Sequence, residues 1–134
     1  MDQEPSGDAA IRVLIADDHL LFAEALTTLL ERNDRIEVVG SAATGADAID
    51  QAVTLGPDVV VMDVGMPGID GLETTRRLRT IAPKTRIIVL TGLTDLDLEQ
   101  RAADAGASAL LTKGAADRDV VDAILSVYDE RIDV

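Results

Sequence analysis

Five short apolar runs alternate with segments of helical periodicity along the 134-residue chain, and this alternation constrains the fold more than any other feature. The third run, Val59 to Asp63, is rich in valine, which is typical of a strand buried on both faces of a sheet. Strands that alternate with helices over short connections form right-handed crossovers and a parallel sheet covered by helices on both faces. The pattern therefore predicts one doubly wound α/β domain of five βα units.

Capping residues and breakers predict where several of these elements begin and end. Strands are predicted over residues 11–16, 36–40, 59–63, 86–91 and 108–112. The second helix is expected to begin at Thr44 and to end at Gly56, and the third to begin at Asp70 and to stop at Pro83. The last helix is expected to be capped by Asp117.

Periodicity assigns a buried face to most of the predicted helices. The first helix is expected over residues 19–32, and the fourth is expected to open at Thr94 or Asp95 and to end at Gly106. The apolar positions Phe22, Leu26, Leu29 and Leu30 of the first helix fall on one face, and the third helix is expected to run through Leu72, Leu78 and Ile81. The faces predicted to be buried are Ile49, Ala52 and Val53 in the second helix and Val120, Val121, Ile124, Leu125 and Tyr128 in the last.

Composition excludes several classes of function. The formal net charge of −13 argues against nucleic-acid contact and against anionic membrane surfaces, because both depend on Lys and Arg. The chain has no cysteine, so a disulfide framework and a thiolate metal site are excluded. No apolar window is long enough for a membrane span, so the expected location is the cytoplasm. Residues 1–10 are polar and are expected to form a disordered tail.

Polar side chains stand at the ends of four predicted strands. Asp17 and Asp18 follow the first strand, Asp63 ends the third, Thr91 ends the fourth and Lys113 follows the fifth. In a sheet of strand order 2-1-3-4-5 the first and third strands are neighbours, and ligands bind at the carboxyl ends of the strands near the switch point between them. The three carboxylates are therefore expected to converge there, beside a hydroxyl and an ammonium.

This combination of groups points to phosphoryl-transfer chemistry. Two carboxylates about 4 Å apart repel each other by on the order of 4 kcal/mol at an effective dielectric constant near 20, so three carboxylates crowded together need a cation or a proton. Lys113 supplies one positive charge, and Mg²⁺ suits a site with few carboxylates because it retains waters and binds phosphate oxygens. With Thr91 and Lys113 to stabilise the transferring group, Asp63 would be the in-line nucleophile.

The motifs together resemble the receiver domain of two-component response regulators. The resemblance rests on the acidic pair, on Asp63 within the segment to Gly71, on Thr91 and on Lys113, and it covers about residues 11–131. Ala16 to His19 and the Gly106-Ala107 pair are most similar to the subfamily that usually carries a C-terminal helix-turn-helix DNA-binding domain. No effector domain is expected within these 134 residues, which would be either a stand-alone receiver or the receiver part of a longer protein.

The resemblance implies a flavodoxin-like fold with strand order 2-1-3-4-5, and a specific role for each site residue. Asp63 would accept a phosphoryl group from the phosphohistidine of a sensor histidine kinase, and Thr91 and Lys113 would contact that group. The metal ligands it implies for Mg²⁺ are Asp18, Asp63 and the Gly65 carbonyl, with Asp17 acting through water. The protein would catalyse only its own phosphorylation and dephosphorylation, and residues 93–131 would form the face for a homodimer or a downstream protein partner.

Two departures from the family pattern bear on switching and on the alternatives. Ala109 occupies a position that usually holds an aromatic residue, and Gly114 stands where many relatives have proline. A degenerate receiver that acts only as an interaction module therefore remains as an alternative. An aspartate-nucleophile phosphatase would need an acid two residues after the nucleophile, where this chain has Gly65. His19, the only histidine, is interpreted as a helix-start residue rather than as a metal ligand or phosphorelay group.

Overall fold

The computed structural model describes residues 10–66, 70–92, 96–114 and 117–132. Strands and helices alternate strictly along these residues, as the periodicity predicts. In chain order they are β1 (Ile11–Ala16), α1 (Leu20–Leu30), β2 (Ile36–Ala42), α2 (Gly45–Leu55), β3 (Val59–Asp63), α3 (Gly71–Ile81), β4 (Arg86–Thr91), α4 (Leu96–Ala105), β5 (Ala109–Thr112) and α5 (Asp117–Ile132).

The five strands form one sheet in the order β2-β1-β3-β4-β5, and every neighbouring pair is parallel. The predicted (βα)5 architecture and strand order are thus confirmed. Since the order reverses between β1 and β3, the carboxyl ends of these two strands flank the switch point at which α/β folds bind ligands. All five residues of β3 are buried, as its valine-rich sequence indicates.

Two aliphatic cores cover the two faces of the sheet. Alternate residues of β1 point to opposite faces, so Ile11, Val13 and Ile15 belong to one core and Leu14 and Ala16 to the other. The first core is completed by α1 and α5, and the second by α2 and α3. The helix α4 packs against α3 and β5 at one edge.

Capping residues determine the ends of α2 and the start of α3. The Thr44 hydroxyl accepts a hydrogen bond from the Asp47 backbone N–H, and Asp70 caps α3 in the same way through Glu73. The helix α2 ends at Gly56, which adopts the left-handed conformation with φ 58°. These three predictions are confirmed.

Hydrogen bonds from Arg77 and Arg76 lower the pKa of the Glu73 carboxyl beneath its ordinary value.

The structure corrects several details of the helix faces. Val53, which was predicted to be buried, is 62% exposed. Ile81, an apolar residue of α3, is 49% exposed, and both line a shallow groove between the C-terminal ends of α2 and α3. Val127 is buried, although it was not among the positions predicted for the buried face of the last helix. Asp117 is the first residue of α5 rather than its cap.

Three boundary predictions have different outcomes. The strand β2 extends two residues beyond the predicted end, to Ala42, and β5 begins at Ala109 rather than at Ser108. Thr94 and Asp95, at which the fourth helix was expected to open, lie outside the described residues.

Within the part of the chain that the structure describes, no helix combines the length and apolarity required to span a membrane.

Candidate functional site

The ends of β1 and β3 bring two buried carboxylates side by side. Ala16 pairs with Met62 in the parallel register, so the next residue on each strand, Asp17 and Asp63, lies at the same level of the sheet. Each aspartate is only 4% exposed. The Asp17 backbone N–H donates to the Ala42 carbonyl, which continues the pairing of β1 with β2 and holds Asp17 in place. The predicted convergence of these carboxylates is therefore found.

Lys113 reaches both carboxylates from the end of β5. Its Nζ lies 3.0 Å from Asp17 Oδ2 and 3.4 Å from Asp63 Oδ2. Two contacts position this side chain: the Lys113 backbone N–H donates to the Thr91 carbonyl at 2.7 Å, and Nζ lies 4.8 Å from the centre of the Phe22 ring. The ammonium thus faces the carboxylates while an aromatic ring of α1 supports it.

Thr91 occupies the strand end next to Asp63. In the register of β3 with β4, Asp63 pairs with Leu90, so Thr91 lies one residue beyond that partner. Thr91 is 4% exposed, and it pairs with Thr112, the residue that precedes Lys113. The backbone consequently places the hydroxyl-bearing residue between the strands that carry Asp63 and Lys113.

The loop after β3 is held close to the Asp63 carboxylate. The Gly65 backbone N–H donates to Asp63 Oδ1 at 3.2 Å, and the Val64 N–H donates to the Leu90 carbonyl. Gly71, at the start of α3, lies so close to this turn that a Cβ there would overlap the Asp63 carbonyl oxygen and Val64 Cα. A glycine is therefore needed where α3 approaches the end of β3. Residues 67–69 of the loop lie outside the described residues.

The acidic cluster has the composition and the spacing of a divalent-cation site. Asp17, Asp18, His19 and Asp63 each offer one ligand atom, and these atoms all lie within 4.8 Å of one another. The three carboxylates and the Lys113 ammonium leave two formal negative charges, which one divalent ion would neutralise. Asp17 Oδ2 and Asp63 Oδ2 are buried and accept no hydrogen bond from the described residues. Such oxygens fit a hard cation that takes oxygen ligands.

The His19 backbone lies where the sequence predicts, but its side chain makes contacts that the sequence analysis did not predict. It precedes α1 at the N-cap position, as predicted, although its side chain makes no capping hydrogen bond. Its Nδ1 instead lies 3.1 Å from Asp17 Oδ1, 3.6 Å from Asp18 Oδ1 and 3.1 Å from Lys113 Nζ. The imidazole thus belongs to the acidic cluster. Its place directly after the acidic pair is the sequence signal that indicates this.

Comparison with known proteins gives a consistent result. Residues 13–125 match the family described as the response regulator receiver domain. The chain is 45% identical over 118 residues to the response regulator UvrY of Escherichia coli K12, and 42% identical over 118 residues to the response regulator GacA of Pseudomonas aeruginosa. Each match covers 88% of this chain but only 54% and 55% of the relative, so the chain spans about half the length of these curated relatives.

A solved structure shows the same fold. The two-component response regulator of the LuxR family from Aurantimonas sp. SI85-9A1 superposes with a TM-score of 0.87 at 32% identity, covering 92% of this chain and 88% of that one. The family match spans β1 to α5 and includes the acidic pair, Asp63, Thr91 and Lys113. On this match and on the shared fold, the chain belongs to the response regulator receiver domain family.

Proposed function

We propose that Asp63 accepts a phosphoryl group from the phosphohistidine of a sensor histidine kinase, in a reaction that requires Mg²⁺. The observation that carries this assignment is the position of Asp63 Oδ2. This oxygen is buried, accepts no hydrogen bond from the described residues and lies 3.4 Å from the Lys113 ammonium. Its lone pairs are therefore available for attack on phosphorus, beside a cation that stabilises the incoming group.

In the proposed step, a bond forms between an Asp63 carboxylate oxygen and phosphorus while the phosphorus–nitrogen bond of the donor breaks. The donor imidazole leaves with the electron pair of the broken bond and takes up a proton. Lys113 and the Thr91 hydroxyl would bind oxygens of the transferring group, and the Gly65 N–H holds the other Asp63 oxygen in place. The donor supplies a phosphoryl group that is already activated by its bond to the imidazole. The site residues therefore need only orient this group and neutralise its charge.

The proposed metal ligands are Asp18, Asp63 and the Gly65 carbonyl, with Asp17 acting through water. Support comes from the tight spacing of the carboxylates and from the two formal negative charges that remain beside Lys113. When bound, Mg²⁺ would supply positive charge to the phosphoryl oxygens. Asp17 would then remain paired with the Lys113 ammonium, which lies 3.0 Å from its Oδ2.

We propose that the surface that changes on phosphorylation lies within residues 93–131. It would bind a second copy of the chain, as a homodimer, or a downstream protein partner. A groove of about 630 Å³ lies there between α4 and β5, and its lining includes Ala102, Ala109 and Leu111. We place the protein in the cytoplasm, where kinase and receiver would meet. The degenerate-receiver alternative receives no support from the site, because the acidic pair, Asp63 and Lys113 are assembled.

A small-molecule phosphodonor tests the chemistry without the kinase. The protein is incubated with acetyl phosphate in Mg²⁺ or in EDTA, and its intact mass is measured. The proposal expects one added phosphoryl group in Mg²⁺ and none in EDTA. Asp63→Asn should remain unlabelled, whereas Asp50→Asn, which changes an exposed aspartate of α2, should be labelled like the unsubstituted protein. Labelling in EDTA, or labelling of Asp63→Asn, would overturn the proposal.

A further inference from the structure

A nitrogen donor lies among the oxygen donors of the acidic cluster. His19 Nδ1 is 3.1 Å from Asp17 Oδ1 and 3.6 Å from Asp18 Oδ1, and it belongs to the four-residue group whose ligand atoms are mutually within 4.8 Å. The His19 side chain is 66% exposed, so the imidazole lies on the solvent side of the two buried carboxylates.

The His19 Nδ1 atom points into the cluster, where it lies 3.1 Å from both Asp17 Oδ1 and Lys113 Nζ. Asp17 Oδ1 accepts the His19 backbone N–H at 2.8 Å, and it would also accept the ring proton in the tautomer that carries it on Nδ1. Lys113 Nζ, which can only donate, lies 3.1 Å from Nδ1. This contact is a hydrogen bond only when Nδ1 carries the lone pair. In that tautomer the nitrogen is also competent to bind a metal.

A second observation points to a ligand at the same place. Asp17 Oδ2 and Asp63 Oδ2 are buried, and among the described residues the Lys113 ammonium, at 3.0 Å and 3.4 Å, is the cation beside them. One ammonium does not neutralise three carboxylates, so the cluster still has the net negative charge that attracts a metal ion. The geometry thus offers one imidazole nitrogen and several carboxylate oxygens to a single ion.

We propose that His19 Nδ1 is a nitrogen ligand through which this site binds Zn²⁺ and similar first-row divalent ions more tightly than its carboxylates alone would. Imidazole suits Zn²⁺, Fe²⁺ and Ni²⁺, whereas Mg²⁺ takes oxygen ligands and gains little from a nitrogen donor. His19 is therefore a selectivity residue that shifts the preference of the site away from Mg²⁺. The inference rests on the acidic metal site of the proposed function, and it adds the class of ion that would compete there.

The chain is well suited to a direct test, because it has one histidine and no cysteine. The untagged protein is labelled with ¹⁵N and titrated with Zn²⁺ while the two ring nitrogens are followed by long-range ¹H–¹⁵N spectroscopy. The proposal expects the Nδ1 resonance to move with Zn²⁺ and the Nε2 resonance to move much less. Unchanged ring nitrogens, or a shift confined to Nε2, would overturn it.

Affinities measured on variants separate selectivity from simple loss of the site. His19→Gln is expected to weaken Zn²⁺ binding at least about tenfold more than it weakens Mg²⁺ binding, because it removes a nitrogen ligand that suits Zn²⁺, and losing even a supporting partner of a ligand costs about tenfold or more. Asp18→Asn should weaken the binding of both ions, and Leu20→Gln, at an exposed neighbouring position, should weaken neither. Equal losses for both ions in His19→Gln, or Zn²⁺ binding that survives Asp18→Asn, would contradict the proposal. Failure of the unsubstituted protein to bind Mg²⁺ would instead contradict the proposed function.

Discussion

The Lys113 ammonium lies 3.4 Å from Asp63 Oδ2 and thereby connects the end of β5 to the end of β3 across the intervening strand β4. The same ammonium lies 3.0 Å from Asp17 Oδ2. The Lys113 side chain is 19% exposed, and both carboxylates are nearly inaccessible. One cation therefore offsets the repulsion between two buried acids that the fold forces together.

Removing this cation should destabilise the metal-free protein. We expect Lys113→Gln to lower the free energy of unfolding by roughly 3 kcal/mol in EDTA, because it leaves buried charge uncompensated. Mg²⁺ should restore part of that loss, since a bound cation would replace the missing charge. Urea unfolding in EDTA and in Mg²⁺ measures both effects. Lys84→Gln, at the other lysine of the chain and exposed, should change the stability by less than about 1 kcal/mol. An equal loss with and without Mg²⁺ would contradict this explanation.

Gly65 is expected to make the phosphoryl group on Asp63 comparatively long-lived. A Cβ at position 65 would lie 3.8 Å and 3.9 Å from the two Asp63 carboxylate oxygens, and apart from its chain neighbours no other described residue would lie within 4 Å. A polar side chain there could orient an attacking water, which glycine does not do. Gly65→Asn together with Leu93→Glu should therefore speed the loss of the label; Leu93 itself lies outside the described residues.

Gly65→Ala is the matched control for this prediction, because it adds the Cβ without the amide group. The rate of loss is followed by intact mass after the phosphodonor is removed. We expect Gly65→Ala to lose the label at or below the rate of the unsubstituted protein. A double variant that is no faster than Gly65→Ala would show that orientation of water at these positions does not limit hydrolysis.

Phosphorylation should change residues 91–98 more than β5. The resemblance to receiver domains implies that an aromatic residue at position 109 would pack into the space that Thr91 vacates when it moves toward the phosphoryl group, but Ala109 is small and lies beside an open groove. Amide hydrogen exchange with and without the phosphoryl group should show changes centred on 91–98 and slight changes over 108–112. In Ala109→Tyr the protection gained over 108–112 should increase. Strong protection of 108–112 in the unsubstituted protein would show that β5 carries the switch.

The strands and the site were predictable because they depend on local and topological rules. Valine-rich runs such as β3 predict buried parallel strands, and side chains at carboxyl ends of neighbouring strands must meet at one edge. Asp17 and Asp63 follow paired residues of adjacent strands, so their proximity follows from the strand order alone. Lys113 follows β5 at the same carboxyl-terminal edge of the sheet, and this is why its side chain can reach Asp63 across β4.

Other features depend on packing that periodicity does not specify. Val53 and Ile81 are apolar and helical, yet they lie near the C-terminal ends of α2 and α3, where both line a shallow groove rather than the core. Val127 is buried because α5 continues against the first core. His19 shows the limit most clearly, since its backbone starts α1 as predicted while the rotation of its side chain decides whether it joins the acidic cluster.

The most direct test of the central claim is to identify the residue that carries the phosphoryl group. After labelling with acetyl phosphate in Mg²⁺, borohydride reduction converts a phosphorylated aspartate into homoserine, and tandem mass spectrometry of the peptides then locates it. Our account predicts homoserine at position 63 alone, and none at Asp17 or Asp18 of the same site. Homoserine at Asp17 or Asp18, or its absence from position 63 in labelled protein, would contradict the account.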